Sequence, residues 1–470
     1  MHNSDKDESA GAEAPPASTY EELTGASPAE RAEIVARLMA GQPEGRLILP
    51  AREGTAAVLD GIDLGHPRRD AGAASPATLR GAVLGGAKLR QANLRGVDLR
   101  GAQLAGASFG GSDLRRACLE EADLREADLA SAILRKAALG AADLRGALLE
   151  DADLRGASLR FADLRDAAFE NADLRRADLW GANLEGTSLA GADLRGVILR
   201  EANLKGADLS SVRLNRADLG RADCSNAKFD LADLQGAEVS GVVLTRASLR
   251  GAKLQGLDFS RCEIANVHLG GAWLERTRFA VDQFGGAIGE ELAGDYDEAR
   301  KGYLALERAF AQLGDPDAAS WAYRRKRRMQ KAEAARRARD HWSAGKRQAA
   351  TGAAFDAACD QLVEWLCDYG ESIARILGAM VVVFVVFTLL YGLTGSVVRV
   401  TKLPTGEVRV PTRNPTDLVI FSLMALTAGN PPAGMEPLNE AVHLLTGIQA
   451  LFGIALSGLL GFVAGNLVRR

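Results

Sequence analysis

Ala152-Asp153-Leu154-Arg155-Gly156 holds the rule by which the longest regular stretch of this chain is read: small, polar, large apolar, polar, glycine. The same five-residue grammar runs from about Ala77 to Phe279, with Leu or occasionally Phe at one position in five and a small residue, usually Ala, two places before it. A period of five fits neither the roughly 3.6 of an amphipathic helix nor the roughly 2 of a long strand, so a repeat architecture comes first. Within a unit, Ala-Asp-Leu reads in, out, in. That is a short piece of strand, and the following Arg-Gly is a corner where Gly can take positive φ. A chain that turns a corner every few residues closes a polygon. Stacked polygons satisfy one another's backbone and bury a column of Ala and Leu.

In this stretch the sequence resembles the pentapeptide-repeat family, whose A-(D/N)-L-x-x units build a right-handed four-sided parallel β-helix. The resemblance implies about twenty residues per coil, about ten coils and a rod of roughly 50 Å at ~4.8 Å per coil. It also predicts aromatic columns. Phe109, Phe169 and Phe229, and separately Phe259 and Phe279, lie at multiples of that spacing and should each stack on one face.

A chain of 470 residues with 47% hydrophobic content and a formal charge of −4 has room for two or three domains. Outward positions of the repeat mix Asp, Glu and Arg almost evenly, which disfavours a DNA mimic, since that needs a strongly acidic face. Asp and Arg of adjacent coils are expected to pair on the surface, and Trp180 and Trp273 to pack against neighbouring segments. No Ser/His/Asp set, paired carboxylates or Gly-rich phosphate loop stands out along the rod, so no enzymatic activity is expected. Cys118, Cys224, Cys262, Cys359 and Cys367 lack CxxC spacing and the histidines are scattered, which suggests neither metal, cofactor nor disulfide framework.

Taken in order, residues 1–27 read as a disordered tail and 28–76 as an N-terminal helix and β-helix cap. Ser27-Pro28 opens that helix with Ser at N-cap and Pro at N1. Ile62-Asp63-Leu64 is already in phase with the repeat, which occupies 77–284. Residues 285–370 read as a cytoplasmic helical connector: a helix from Tyr296 to Leu313, a second from Asp317, together like a single tetratricopeptide unit. The second carries Arg324, Arg325, Lys326, Arg327 and Arg328. Its readings are a solvated face, a juxtamembrane patch on anionic lipid, or nucleic-acid binding, and the nearby membrane span favours lipid over nucleic acid. Phe355–Tyr369 reads as an amphipathic helix with Trp365 and Tyr369 at a headgroup boundary.

Residues 371–470 hold two uncharged stretches, Ile376–Val398 and Leu444–Val468, each long enough to cross ~30 Å of hydrocarbon. No secretory pattern opens the chain, and the distribution of basic residues puts the β-helix and both termini on the cytoplasmic side of an inner (plasma) membrane. Between the spans, Thr416–Thr427 is helical in pattern but only half as long, and ends at Ala428-Gly429-Asn430-Pro431-Pro432. Irregular backbone at membrane depth is tolerated where it lines a water-filled cavity. With its span, short helix, loop and second span, this region resembles the two-transmembrane pore-loop channels of the potassium-channel superfamily. Phe421-Ser422-Leu423-Met424-Ala425-Leu426-Thr427 is similar to their pore helix, and Cys367-Asp368-Tyr369-Gly370-Glu371-Ser372 to the entry of such domains fused to pentapeptide repeats. The Thr-x-Gly-Tyr-Gly filter is absent.

That resemblance implies a homotetramer passing inorganic ions and bedded in membrane lipid, with Thr427, Ala428, Gly429 and Asn430 as filter and Glu436 as an outer acidic ring. Gly458 and Gly461 are hinge candidates, and close helix packing by Gly453, Gly458, Gly461 and Gly465 is the other reading of this spacing. Two prolines after Asn430 oppose a continuous carbonyl stack, so a wider, weakly cation-selective pore is expected. Arg399, Lys402, Arg409 and Arg413 of the connecting loop argue instead for anions. The rival reading is a membrane-anchored scaffold that binds a cytoplasmic protein.

Overall fold

The computed structural model describes residues 17–40, 47, 49, 57–64, 78–370, 372–403, 406–429 and 434–468. The chain divides into two units, Met1–Ala322 and Tyr323–Arg470.

In the first unit, α1 (Ala17–Gly25) and α2 (Pro28–Ala40) precede the repeat. Helix α1, with Tyr20 and Leu23 buried, corrects the reading of a disordered tail for Ala17–Gly25, and the rest of that tail, residues 1–16, lies outside the described residues. Helix α2 starts as its sequence requires: the Ser27 N–H donates to Glu30 Oε2 (2.7 Å) and the Glu30 N–H to Ser27 Oγ (3.4 Å), a reciprocal capping box. It lies over the first coil, where Arg31 donates to the Asp60 carbonyl (2.5 Å).

The repeat is a stack of coils in which parallel bridges join each residue to the one twenty further on, as in Asp98↔Cys118 and Gln103↔Asp123. Asp63 is in phase but pairs with Asn93, thirty residues on. At each corner the apolar residue's carbonyl accepts from the N–H three residues later, as Leu154 does from Ala157 (2.9 Å). The residue between takes positive φ (Gly156, 65°), a type II turn. Glycine is not obligatory there: Arg176, Phe161 and Leu231 hold φ of 58–61°. The Ala and Leu columns are buried from Leu79 to Leu274. Phe259 and Phe279 stack (5.2 Å, 5° between planes). Phe109, Phe169 and Phe229 share a column but sit three coils apart, so they touch the Leu residues between them and not one another.

The outward Asp does two jobs. Asp143 Oδ1 accepts from the Arg145 N–H (3.3 Å), fixing the corner, and its carboxylate binds the Arg145 guanidinium (2.7 Å). Several Arg residues therefore pair most closely within their own unit, while the expected pairs between coils include both the close Arg135–Asp153 contact and the longer Arg145–Asp163 at 3.7 Å. Hydrogen bonds from the following Arg hold Asp98, Asp123, Asp143 and Asp163 below the usual carboxylate range. A folded value below the unfolded one gives stability present above about pH 4 and lost as pH falls through the folded value. The thermal midpoint followed by circular dichroism is expected to hold steady from about pH 8 to 6 and to fall below about pH 4. A midpoint unchanged at about pH 3 would remove these pairs from the account of stability.

After Phe279 a 3-10 turn (Val281–Phe284), α3 (Gly289–Ala293) and α4 (Tyr296–Gln312) close the far end of the stack. Gly302 of α4 approaches the last coil so closely that a Cβ would meet Ile288 Cδ1 at 2.8 Å and the Leu269 carbonyl carbon at 3.4 Å. Tyr303 accepts from the Ile288 N–H (3.1 Å), and Trp321 packs on Phe284 and Tyr303. The helix read as the start of a connector thus caps the β-helix. Helix α5 (Pro316–Ser343) runs from this unit into the second.

The second unit contains α6 (Arg347–Cys367), α7 (Ile373–Thr394), β1 (Val397–Leu403), β2 (Gly406–Pro411), α8 (Pro415–Leu426), β3 (Met435–Pro437) and α9 (Glu440–Val468). Helices α7 and α9 are long and apolar enough to cross a membrane. Apolar side chains stand exposed along both helices, Leu393 at 82% and Leu451 at 68%, the kind of surface that marks a membrane or partner contact. The span read as Ile376–Val398 stops earlier: Gly395 takes φ 59° and the chain enters an antiparallel sheet ordered β2-β1-β3. The described part of the segment between α7 and α9 is therefore built structure.

Candidate functional site

Helix α8 is the short apolar helix on which a functional reading turns. Asn414 caps it, accepting from the Thr416 N–H (3.1 Å), and Pro415 opens its first turn. Asp417, buried in that turn, accepts from Arg399 of β1 (2.5 Å) and from Thr412 Oγ1 (2.8 Å), which latches the sheet to the helix. Strand β3 returns to β1 through Val397↔Pro437 and Arg399↔Met435, so both ends of the α8 segment are tied to one sheet.

Helix α8 packs on α7 and α9 through Tyr391, Leu418, Phe421 and Val442, with the Tyr391 and Phe421 rings edge to face at 5.3 Å. Within this apolar cluster runs a closed polar circuit. Tyr391 Oη donates to Gln449 Oε1 (2.9 Å), and Gln449 Nε2 donates to Ser422 Oγ (2.8 Å) and to the Ser422 carbonyl (3.1 Å). Ser422 Oγ donates to the Phe384 carbonyl (3.3 Å). All three side chains are fully buried, and the circuit joins α7, α9 and α8. Sequence reasoning missed Asp417 and Gln449, although a polar residue inside an apolar stretch is itself a signal.

At its other end α8 closes with a Schellman motif: the Gly429 N–H donates to the Met424 carbonyl (2.8 Å) and the Ala428 N–H to the Ala425 carbonyl (3.2 Å), with Ala428 at φ 53°. Thr427 Oγ1 donates back to the Leu423 and Met424 carbonyls (3.1 Å each). Three of the expected filter residues are therefore exposed and together, but their N–H groups cap the helix. What Thr427 can turn outward is hydroxyl lone pairs. Asn430 lies outside the described residues.

Several expected sites need correction. Glu436 is paired with Arg409 (3.2 Å), so its charge is offset within the chain. Arg399 and Arg409, two of the four basic residues that argued for anions, are offset by Asp417 and Glu436. The close approach expected of the glycines occurs at Gly453, whose Cβ would lie 1.6 Å from the Leu426 carbonyl oxygen, whereas a Cβ at Gly458 or Gly461 would meet nothing within 4 Å.

The basic run does not present a bare patch to lipid. Arg327 binds Asp360 (2.6 Å), Arg328 and Lys331 bind Glu364, and Arg324 lies 3.7 Å from Asp368. One acidic stripe of α6 and the turn after it thus neutralises most of the run, and Lys326 rests over the Tyr323 ring. Burial opposes ionisation of Glu364, but its bonds to Lys331 and Arg328 prevail and hold it below the usual range. Tyr369, expected at a headgroup boundary, is buried under Arg327, and burial pushes its phenol up. Trp365 is exposed as expected.

Comparison with known proteins places the repeat. The family model for pentapeptide repeats matches residues 77–116, 107–146, 142–181, 178–216, 207–246 and 243–279. Among solved structures the chain is similar to HetL, a pentapeptide repeat protein involved in heterocyst differentiation regulation from the cyanobacterium Nostoc, at 34% identity over 40% of this chain and 84% of that one (TM-score 0.32). QnrB1, a plasmid-mediated fluoroquinolone resistance protein, is 18% identical over 39% of this chain and 93% of that one (TM-score 0.28). A pentapeptide repeat protein from the Arabidopsis thaliana thylakoid lumen is 38% identical over 23% of this chain and 66% of its own (TM-score 0.14). No curated protein matches the chain.

Proposed function

The chain belongs to the pentapeptide-repeat family through residues 77–279, and from that premise we propose that its right-handed β-helix is the cytoplasmic part of a membrane pore subunit. The observation that carries the reading is α8. A tether needs only two spans, yet here a half-length apolar helix is held against both of them by a fully buried hydrogen-bond circuit, with its C-terminal end left exposed. Four copies around one axis would bring four such ends together, each with Thr427 oxygen lone pairs and the negative end of the α8 dipole facing the axis. Partly hydrated cations would pass with little discrimination, and ion and lipid are the only partners this activity requires.

A membrane-anchored scaffold is the second reading, and the Schellman cap favours it. Backbone groups that terminate a helix are not arranged to replace an ion's water. Purified protein in planar bilayers separates the two. Unitary currents with a reversal potential that follows the cation gradient weakly are expected in asymmetric KCl, from particles of tetrameric mass. Electrically silent bilayers from a monomeric or dimeric particle would leave the scaffold, and a potential that tracks chloride would overturn the cation assignment.

A further inference from the structure

We propose that one corner of the β-helix is a docking groove for an extended acidic segment of a protein partner. Its place on the repeat is independent of the proposed pore.

The surface of the repeat is close to neutral on average, but this corner is not. A groove of about 980 Å³ runs along it from Lys136 to Gly236, lined by Arg155, Arg175, Arg176, Arg195 and Arg216. Arg155, Arg175 and Arg195 are offset by Asp153, Asp173 and Asp193 at 2.6–2.7 Å. No hydrogen bond or ion pair among the described residues engages the side chains of Lys136, Arg176 and Arg216. These three occupy the positive-φ position of their turns, and in the intervening coils that position is Gly156, Gly196 or Gly236. The glycines keep the groove open: a Cβ would lie 3.7–3.8 Å from the Cγ of the cation one coil before.

The spacing selects the ligand. The three cations are forty residues apart in sequence, two coils, which is about 10 Å at ~4.8 Å per coil. A peptide in the extended polyproline II conformation rises about 3.1 Å per residue with about three residues per turn, so carboxylates three residues apart share one face and match the two-coil spacing. Single-stranded nucleic acid is disfavoured because no aromatic side chain lines the groove to stack a base. The three cations are solvent-exposed, so the attraction is of the screened, steering kind and must weaken with salt.

The test uses the full chain in detergent and a fluorescent peptide that repeats Glu-Gly-Ser four times, read by anisotropy. Binding is expected at about 50 mM salt and its loss above about 300 mM. The triple variant Lys136→Asn, Arg176→Asn, Arg216→Asn should weaken binding about tenfold or more. Asn is chosen because it tolerates the left-handed conformation these positions hold. The single variant Arg176→Asn should weaken it about two- to threefold, which keeps the test valid if the triple variant misfolds. Arg246→Asn, at the same turn position (φ 59°) on another corner, should leave binding unchanged. Absence of peptide binding, equal binding by the Lys-Gly-Ser counterpart, insensitivity to Arg176→Asn, or tighter binding of a single-stranded oligonucleotide would each overturn the assignment.

Discussion

Replacing Gly453 with Ala is expected to dismantle the packing of α8 on α9. The added methyl would sit 1.6 Å from the Leu426 carbonyl oxygen and 2.7 Å from its carbon. A side chain so placed could swing away, but this is backbone in the last turn of a helix, and the Schellman bonds from Ala428 and Gly429 fix its direction. Ordinary contact would require the two helices to part by about 1.5 Å, opening the apolar cluster around Phe421. Overpacking in a core costs about 1–3 kcal/mol when side chains can give, and here they cannot, so a loss at or beyond the top of that range is expected. Gly458→Ala and Gly461→Ala introduce a methyl into space that is empty within the chain and should leave the midpoint within about 2 °C. Thermal unfolding of the three variants in detergent checks this, and a Gly453→Ala protein that melts with the parent would refute the close approach. If Gly461 is a hinge, its variant changes open probability with stability intact.

The β-helix was legible because every determinant of it is local: which residue points in, which turns the corner and how far apart the turns fall are all contained in a unit such as Ala152–Gly156. The caps were less so. Helix α4 reads as an amphipathic helix from sequence, but that its Gly302 is the point of contact with Leu269 depends on where the last coil ends. The sheet β2-β1-β3 went unread for a definite reason. Val397 and Val398 prolong the apolar run of α7, and only Gly395 in the left-handed conformation separates helix from strand. At the candidate site, the sequence located Thr427–Gly429 correctly at the end of the short helix. It did not show where their N–H groups go, and that difference divides a cap from a filter. The basic run illustrates the same limit. Its charge is plain in the sequence, but its neutralisation by Asp360, Glu364 and Asp368 is a fact of two helices brought together.

Gln449→Leu is expected to be the most damaging change that leaves the backbone free to keep its course. Leucine fills a similar volume but removes three hydrogen bonds, and the Tyr391 hydroxyl and the Ser422 carbonyl and hydroxyl lose a partner at full burial. An unsatisfied buried group costs about 1–3 kcal/mol, more than the bond contributed when made, so a total of about 2–4 kcal/mol is expected. Tyr391→Phe removes one donor and leaves the amide its two bonds to Ser422, for about 1 kcal/mol. The circuit makes a sharper claim than either number. In a Tyr391→Phe, Gln449→Leu double variant the hydroxyl orphaned by the leucine is itself absent, so the double loss should fall short of the sum of the single losses by about 1 kcal/mol. Strict additivity would mean that Tyr391 and Gln449 do not share a bond. The same cycle bears on the proposed pore, because the circuit joins α8 to both α7 and α9. If conduction falls with stability along the series, α8 is part of the conducting structure. A protein destabilised by Gln449→Leu that still carries the parent's current per folded particle would take α8 out of the pore.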